Sequence, residues 1–363
     1  MIFATAPLGE VAPARPISLD REPEELVWQV TLDHIEADTG ILLKKEMKPF
    51  AKAGSSTHAF DDRHVLYSKL RPYLNKVLVP DEEGIGTTEL VPMLPDPERL
   101  DRDYLAHYLM TKRFVSWITE HSSGAKMPRA TMADFWAHEI PVPPLAEQKR
   151  IAAILDKADA IRRKRKEAIE LADQFLRSVF LDLFGDPVTN PKGLDKEQLG
   201  NLIKVASGNG LTVSQMDKGG TCAVYGGNGI SGRHSEFMFR DPEIVIGRVG
   251  VYCGVVHITE PKSWVTDNAL YIKEYLKPLN QDYLAEALKV ARLNQYAGQA
   301  AQPLVSGSRI YPVEILAPPP DLVEQFSKAK AKIAEITQTL GVASFNAGEL
   351  FDSLSQKAFA GKL

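Results

Sequence analysis

The stretch that decides the fold is PVPPLAEQKRI, residues 141–151, where a cluster of prolines is followed at once by a long charged helical pattern. A related stretch, APPPDLVEQ, stands at residues 317–325. Proline cannot continue a preceding helix but can begin a new one, so each cluster sets the residue at which a helix starts. Because a proline cluster followed by a helical pattern occurs twice, we predict a chain built from two related halves.

A repeat runs through the chain and supports this reading. Three pairs of residues share one spacing of 179: Tyr73 with Tyr252, Thr87 with Thr266, and Tyr104 with Tyr283 (252 − 73, 266 − 87, 283 − 104). Later pairs share a spacing of 175: Pro128 with Pro303, Ile140 with Ile315, Ser178 with Ser353, and Phe184 with Phe359 (303 − 128, 315 − 140, 353 − 178, 359 − 184). Each half therefore follows one order, which is a globular unit, a proline cluster and a long helix.

Each globular unit is predicted to be mixed α/β. The segments HVLYSKL (64–70) and EIVIGRV (243–249) are rich in β-branched and aromatic residues and are bounded by turn residues, which is typical of strands. The segment RDYLAHYLMTKRFVSWITEH (102–121) carries apolar residues at helical spacing. The segment SGNGLTVSQMDKGGTCAVYGGNGISG (207–232) is rich in glycine and is predicted to form loops.

Both long helices carry a heptad pattern. Steps of three and four select a mostly apolar set in the first helix: Ile151, Ile154, Ala158, Ile161, Arg165, Ala168, Ala172, Phe175 and Val179. The same steps select an apolar set in the second helix: Leu322, Phe326, Ala329, Ile333, Ile336, Leu340, Ala343, Ala347, Leu350 and Leu354. This 3.5-residue period is typical of a coiled-coil seam, so we expect antiparallel pairing of the two helices. The alternative is two separate helices, each packed on its own unit.

Composition excludes several classes of protein. The formal net charge of -4 gives no basic footprint over the whole chain, although a local basic face can coexist with it. The only cysteines, Cys222 and Cys253, are expected to be buried apolar side chains rather than zinc ligands. No apolar run reaches the roughly 20 residues of a membrane span, and the N-terminus lacks the features of a signal peptide. The protein is therefore expected to be cytoplasmic, with no membrane association.

No catalytic site is predicted. The chain has no GxxxxGK[ST] phosphate loop, and TNPKG (189–193) is not the Asn/Asp-Pro-Pro-aromatic motif of an adenine methyltransferase. The eight histidines form neither an HExxH motif nor a pair at ligand spacing. We expect no metal, no cofactor and no enzymatic activity, and an unrecognised enzyme built on one α/β unit is the least favoured alternative.

Two longer motifs stand out: IPVPPLAEQKRIAAILD (140–156) at the start of the first helix and LFDSLSQKAFAGKL (350–363) in the second helical segment. Four shorter motifs lie in the globular units: KLRPYLNKV (69–77), GGNGISG (226–232), IVIGRVG (244–250) and TDNA (266–269). Together these motifs give the chain a resemblance to the specificity subunits of type I restriction-modification systems. It implies an α+β fold: two α/β target-recognition domains in a pseudo-two-fold repeat, joined and followed by long helices that form an antiparallel coiled coil. The second proline cluster departs from the pattern, with DLVEQF where the first has LAEQKR.

The resemblance also implies partners. In that family each recognition domain reads one half of a bipartite, asymmetric site in double-stranded DNA, and the helices act as a ruler for the unspecified gap. The helices dock two methyltransferase subunits, and restriction/translocase subunits join that core. The expected segments are recognition domain 1 (1–144), a central spacer helix (145–185), recognition domain 2 (186–318) and a C-terminal spacer helix (319–363). The alternative is a non-catalytic assembly scaffold or decoy for methyltransferase subunits, without its own sequence readout.

Polar side chains that could contact DNA stand at corresponding places in the two halves. Base edges and phosphates are bound mainly by Arg, Lys, Asn, Gln, Ser and Thr. The candidates in the first half are Lys69, Arg71, Lys126, Arg129 and Thr131. Those in the second half are Asn228, Ser231, Arg233, Arg248, Ser306, Ser308 and Arg309. Lys69 and Arg248 share the 179 spacing (248 − 69), so one strand end is cationic in both halves; for each residue the alternative is an ordinary solvated side chain.

The densest charge cluster is RRKRK, residues 162–166, in the first long helix. The run covers more than one helical turn, so at least one cation must point toward the partner helix or whatever lies beneath it. Three interpretations stay open: a solvated helix face, a contact with the DNA backbone, and a docking surface for a methyltransferase subunit.

Overall fold

The computed structural model describes residues 3–54, 56–217, 219–298 and 303–363, and for residues 342–349 it describes the backbone alone. The chain divides into two compact units. Unit 1 comprises residues 1–166 and 341–363, and unit 2 comprises residues 167–340. Both divisions fall inside the long helices, so each unit contains one globular part and a portion of each helix.

Unit 1 is mixed α/β, as predicted. Its strands are β1 (Thr5–Pro7), β2 (Leu26–Val30), β3 (Glu46–Pro49), β4 (Thr57–Phe60), β5 (Val65–Ser68), β6 (Val77–Leu78), β7 (Gly84–Thr87), β8 (Leu90–Met93), β9 (Ser122–Ser123), β10 (Arg129–Ala130) and β11 (Glu139–Pro141). Its helices are α1 (Leu8–Val11), α2 (Arg102–Leu109), α3 (Lys112–Glu120), α4 (Met132–Ala137) and the first part of α5 (Leu145–Phe184). The strands form two main sheets, in the orders β3-β2-β7-β4 and β6-β5-β8.

Unit 2 repeats this plan. Its strands are β12 (Lys196–Gln198), β13 (Ile203–Ser207), β14 (Cys222–Gly226), β15 (Gly229–His234), β16 (Ile244–Gly247), β17 (Val256–Ile258), β18 (Ser263–Val265), β19 (Ala269–Tyr275) and β20 (Glu314–Leu316). Its helices are α6 (Gln281–Val290), α7 (Gly307–Ile310) and the first part of α8 (Pro320–Phe359). The main sheets have the orders β13-β19-β16-β17 and β15-β14-β18.

The sequence repeat is a structural repeat. Strands β5 and β16 begin and end 179 residues apart, as the first block of the repeat predicts. Strands β11 and β20, and helices α5 and α8, begin and end 175 residues apart. The tyrosine of the repeated DYLA block fixes its helix in the same way in both units, because Tyr104 Oη donates to the Pro141 carbonyl at 2.9 Å and Tyr283 Oη to the Leu316 carbonyl at 2.7 Å.

The two long helices run antiparallel within unit 1. The Arg150 guanidinium donates to the Leu363 carbonyl oxygen over 3.5 Å, and the Arg162 guanidinium lies 5.4 Å from the centre of the Phe351 ring. Residue numbers therefore increase along α5 in the direction in which they decrease along α8. Ile151 of α5 and Ala358 of α8 are fully buried in the core that they share with β5 and α2.

The pairing continues within unit 2 through aromatic side chains. Phe180 and Phe184 of α5 are buried, and their rings lie 5.6 and 5.7 Å from the ring of Phe326 on α8. Tyr283 of α6 stacks on Phe180 at 5.8 Å, so the globular part of unit 2 packs directly on the helices. These contacts confirm the predicted fold class.

The predicted seam is wrong at four positions. The side chains of Ile161, Phe175, Ile336 and Leu350 are 49%, 60%, 56% and 57% exposed. In α5 the deeply buried side chains near the end are instead Leu176, Phe180 and Phe184, at steps of four. The helices bury one face against their own globular core as well as each other, and an α-helix of 3.6 residues per turn drifts from a strict 3.5 repeat. Two further seam positions, Ala343 and Ala347, lie outside the side chains that the structure describes.

The basic run 162–166 contacts unit 1 itself. Arg162 donates to Asp159 at 2.6 Å and covers Phe351 of α8, so a cation does face the partner helix as predicted. Arg163 donates to the Thr39 carbonyl at 3.1 Å, and Lys166 Nζ lies 3.6 Å from Glu36 Oε1. These contacts tie the helix to the globular part of unit 1. Within the described ranges, no helix has both the length and the apolar composition of a membrane span.

Candidate nucleic-acid interface

In unit 1 the predicted residues gather around the turn that follows β5. The Lys69 amide donates to the Glu89 carbonyl at 3.0 Å, and the Lys69 carbonyl accepts from the Ala130 amide at 2.9 Å. The Arg71 amide donates to the Pro128 carbonyl at 2.7 Å. Arg71 has a φ of 49°, which is an uncommon left-handed conformation for a residue with a side chain. The β9–β10 hairpin is therefore joined to this turn by backbone hydrogen bonds.

The side chains around this turn differ in their exposure and in whether they form an ion pair. Arg129 is held by Glu89, with Nε and Nη2 at 3.1 and 2.9 Å from Oε1, and this carboxylate raises the pKa of Arg129 above its usual range. The buried Nε of Arg71 has no hydrogen-bond partner in the described part of the chain. Lys126 is exposed in the hairpin loop, and Thr131 is exposed at the start of α4. Arg129 thus has an ion pair, whereas Lys69, Arg71, Lys126 and Thr131 have none with a residue that the structure describes.

Unit 2 builds the same turn after β16. The Arg248 amide donates to the Asn268 carbonyl at 2.9 Å, and the Arg248 carbonyl accepts from the Val305 amide at 2.8 Å. The Gly250 amide donates to the Pro303 carbonyl at 3.0 Å, and Gly250 has a φ of 75°. These bonds join the same repeated positions as in unit 1. The side chain of Arg248 is positioned as well, because its Nη1 donates to Ser207 Oγ at 2.9 Å and to the Asp267 carbonyl at 3.2 Å.

The glycine-rich segment of unit 2 forms a hairpin beside this turn. Strands β14 and β15 are connected by Gly227 and Asn228 alone, which leaves Asn228 exposed at the tip. An open cavity of about 900 Å³ lies here, and Asn228, Ser231 and Tyr252 are among the residues that line it. The prediction of loops for this segment is wrong in part, because Cys222–Gly226 and Gly229–His234 are paired strands.

The remaining candidates of unit 2 are not all in this group. Arg233 lies at the far end of β15, where its Nη1 donates to Glu260 Oε2 at 3.0 Å and to the Thr221 carbonyl at 2.9 Å. Ser306 and Ser308 bond to each other through their hydroxyls at 3.0 Å, directly after the Pro303 contact. Arg309 is exposed on α7. The structure brings Asn228, Ser231, Arg248 and Ser306 close to the turn that follows β16 and leaves Arg233 apart from it.

Two repeated residue pairs near the turn were missed as candidates. Tyr73 and Tyr252 are 46% and 49% exposed, in the turns after β5 and β16. Thr87 and Thr266 each have a buried hydroxyl without a hydrogen-bond partner in the described residues. The repeat itself was the signal, since both pairs define the 179 spacing. Among the described residues, no group of three His, Cys, Asp or Glu side chains could hold a metal ion.

Comparison with known proteins agrees with this architecture. Residues 69–171 match the family model of the type I restriction modification DNA specificity domain. The EcoprrI specificity subunit of Escherichia coli, a type I restriction enzyme component, is 22% identical over 335 residues, which cover 82% of each chain. The chain is similar to type I restriction-modification specificity subunits. The resemblance predicted from the sequence motifs is thereby confirmed.

Other relatives match over shorter or more divergent stretches. The EcoDI specificity subunit of Escherichia coli is 26% identical over 161 residues, 43% of this chain and 36% of that protein. The crystal structure of the type I S subunit from M. genitalium matches 98% of this chain and 96% of its own, with a TM-score of 0.61 and 16% identity. A chain from a structural study of type I R-M complex assembly and conformational transition matches 99% of this chain and 98% of its own, with a TM-score of 0.57 and 17% identity. The two structures show a shared fold.

Proposed function

We propose that this chain is the DNA sequence-specificity subunit of a type I restriction-modification complex, and that each unit reads one half of a bipartite, asymmetric site. One observation carries the proposal: both units build the same hydrogen-bonded turn, and it places the cationic candidates Lys69 and Arg248 at equivalent positions. A protein that reads two half-sites of DNA needs two binding surfaces, and here the same turn supports one in each unit. The proposed recognition domains are residues 1–144 and 186–318, and the spacer helices are 145–185 and 319–363.

The loops beside the shared frame differ, as expected if the half-sites differ. Unit 1 carries the exposed cation Lys126 on its β9–β10 hairpin, while unit 2 carries the exposed Asn228 on its β14–β15 hairpin, which is a different loop of the fold. Arg and Lys favour guanine in the major groove, and Asn favours adenine. Different side chains on one frame provide different base preferences without a change of fold.

The helices are suited to a role as ruler and docking surface. Each has 40 residues, which at 1.5 Å per residue corresponds to a length of about 60 Å. The four exposed apolar side chains that depart from the predicted seam lie on these helices: Ile161, Phe175, Ile336 and Leu350. Apolar side chains exposed on a long helix are available to pack against another protein. We therefore assign the helices to the spacing of the half-sites and to the binding of two methyltransferase subunits, with restriction/translocase subunits joining that core.

Methylation mapping tests this function. Cells that express the chain with the modification subunit encoded beside it are compared, by single-molecule sequencing, with cells that express the modification subunit alone. We expect a gapped, two-part adenine-methylation motif that depends on the chain. If the complex assembles and no such motif is found, the chain is an assembly scaffold rather than a specificity subunit. Turnover by the isolated chain would contradict the proposed non-catalytic role.

A further inference from the structure

The turn after β5 and the turn after β16 share more than their backbone. We call residues 69–73 and 248–252 the repeated turns. Each begins with a cation, Lys69 or Arg248, and ends with a tyrosine that is close to half exposed, Tyr73 at 46% and Tyr252 at 49%. The same partly exposed tyrosine in one register of both units is a candidate for an external contact, because its ring offers apolar area and its hydroxyl offers a hydrogen bond.

The repeated turns hold these tyrosines in a fixed position. The third residue of each turn has a left-handed backbone, with a φ of 49° at Arg71 and 75° at Gly250. The amide of the same residue is bonded to the carbonyl of Pro128 or Pro303. A contact made by an anchored turn loses less conformational entropy than one made by a free loop.

The surroundings favour a nucleic acid over a protein as the contact. Tyr252 lines the same cavity as Asn228 and Ser231, two of the candidate DNA residues. In unit 1 the hairpin bonded to the turn carries Lys126, which is exposed. Tyrosine hydroxyls are among the side-chain groups that donate to phosphate oxygens of DNA.

We infer that Tyr73 and Tyr252, each with the cation at the start of its turn, contact the sugar-phosphate backbone in a sequence-independent way. The inference rests on the proposed function and deepens it. Residues that read two different half-sites should differ between the units, whereas the backbone presents the same chemistry at both. The repeated turns therefore position the DNA, and the hairpins beside them read its bases.

Binding measurements on the purified complex with its methyltransferase subunits test the inference. The probes are a duplex that carries the motif found by methylation mapping and a duplex with both half-sites scrambled. Y73A and Y252A should each weaken binding to both duplexes about fivefold, so that the ratio of the two affinities is unchanged. Y73F and Y252F should reproduce most of that loss, because the hydroxyl makes the contact. When log affinity is plotted against log salt concentration the slope is negative, and Lys69→Gln should make it less steep by about one.

Phe237→Ala is the matched control. Phe237 is 41% exposed in unit 2, but its counterpart in unit 1 is His58 (237 − 58), so it is not part of the repeat. This variant should bind both duplexes as the unchanged chain does.

Three results with the tyrosine variants would overturn the inference alone. A changed affinity ratio in Y73A or Y252A would make the tyrosine a base reader, and unchanged affinity for both duplexes would remove it from the interface. Failure of the variants to assemble with the methyltransferase subunits, seen by native mass spectrometry, would assign the tyrosines to that protein contact. In these cases the proposed function stands. If the unchanged complex does not distinguish the two duplexes, the proposed function fails and the inference falls with it.

Discussion

Phe180→Ala is expected to lower the free energy of unfolding of unit 2 by about 3–5 kcal/mol, because truncating a buried phenylalanine removes its apolar contacts and leaves a cavity. Phe180 is 1% exposed and meets Phe184, Tyr283 and Phe326. It therefore connects both long helices to the globular part of the unit. Chemical denaturation of the purified chain, followed by near-ultraviolet circular dichroism, measures the change.

Phe175→Ala is the control for this prediction, since Phe175 lies on the same helix and is 60% exposed. It should change the free energy of unfolding by less than about 0.5 kcal/mol, as is usual for surface positions. A loss of stability as large as that of Phe180→Ala would place Phe175 in the core and restore the heptad seam expected from the sequence.

Gly247→Ala is expected to lower the free energy of unfolding of unit 2 by about 1–3 kcal/mol, as overpacking does, and to weaken DNA binding. A Cβ on Gly247 would lie 2.2 Å from the Tyr252 carbonyl oxygen and 2.6 Å from that of Gly227. Both neighbours are backbone atoms and cannot turn away as a side chain could. The substitution must therefore push the glycine hairpin that bears Asn228 away from the repeated turn.

Gly219→Ala provides the comparison, because a Cβ there would meet no atom within 4 Å. It should leave both the unfolding midpoint and the affinity for DNA unchanged. Equal behaviour of the two variants would show that the close approach at Gly247 does not hold the hairpin in place. The equivalent position in unit 1 is Ser68, so the tight approach belongs to unit 2 alone.

The sequence was most informative where the chain repeats itself. The proline clusters marked the starts of α5 and α8, and the pairs such as Tyr104 and Tyr283 marked equivalent helices, because each pair has one local structural role. The helix faces were harder to predict. Phe175 and Phe180 are chemically identical, and only the packing of α6 against α5 determines that Phe180 is buried.

The sequence predicted which positions of the candidate site are equivalent in the two units, but not which of their side chains form ion pairs. Lys69 and Arg248 stand in equivalent places because the repeat aligned them. The sequence could not show that Glu89 holds Arg129, since those residues meet through strand pairing and not through proximity along the chain. It also could not show that Arg233 forms an ion pair with Glu260 at the far end of β15. Both contacts depend on the fold. A choice of candidates by charged residue type alone therefore includes side chains that are already paired within the protein.

Exchange of one recognition domain tests the central claim most directly. Residues 1–144 are replaced with the corresponding domain of a type I specificity subunit whose motif is known, and the methylated motif is mapped in cells that express the modification subunit. We predict that one half of the motif becomes that of the donor, while the other half and the gap length stay as they are. If the chimeric complex assembles and methylates an unchanged motif, or a motif altered in both halves, then the two units do not each read one half-site.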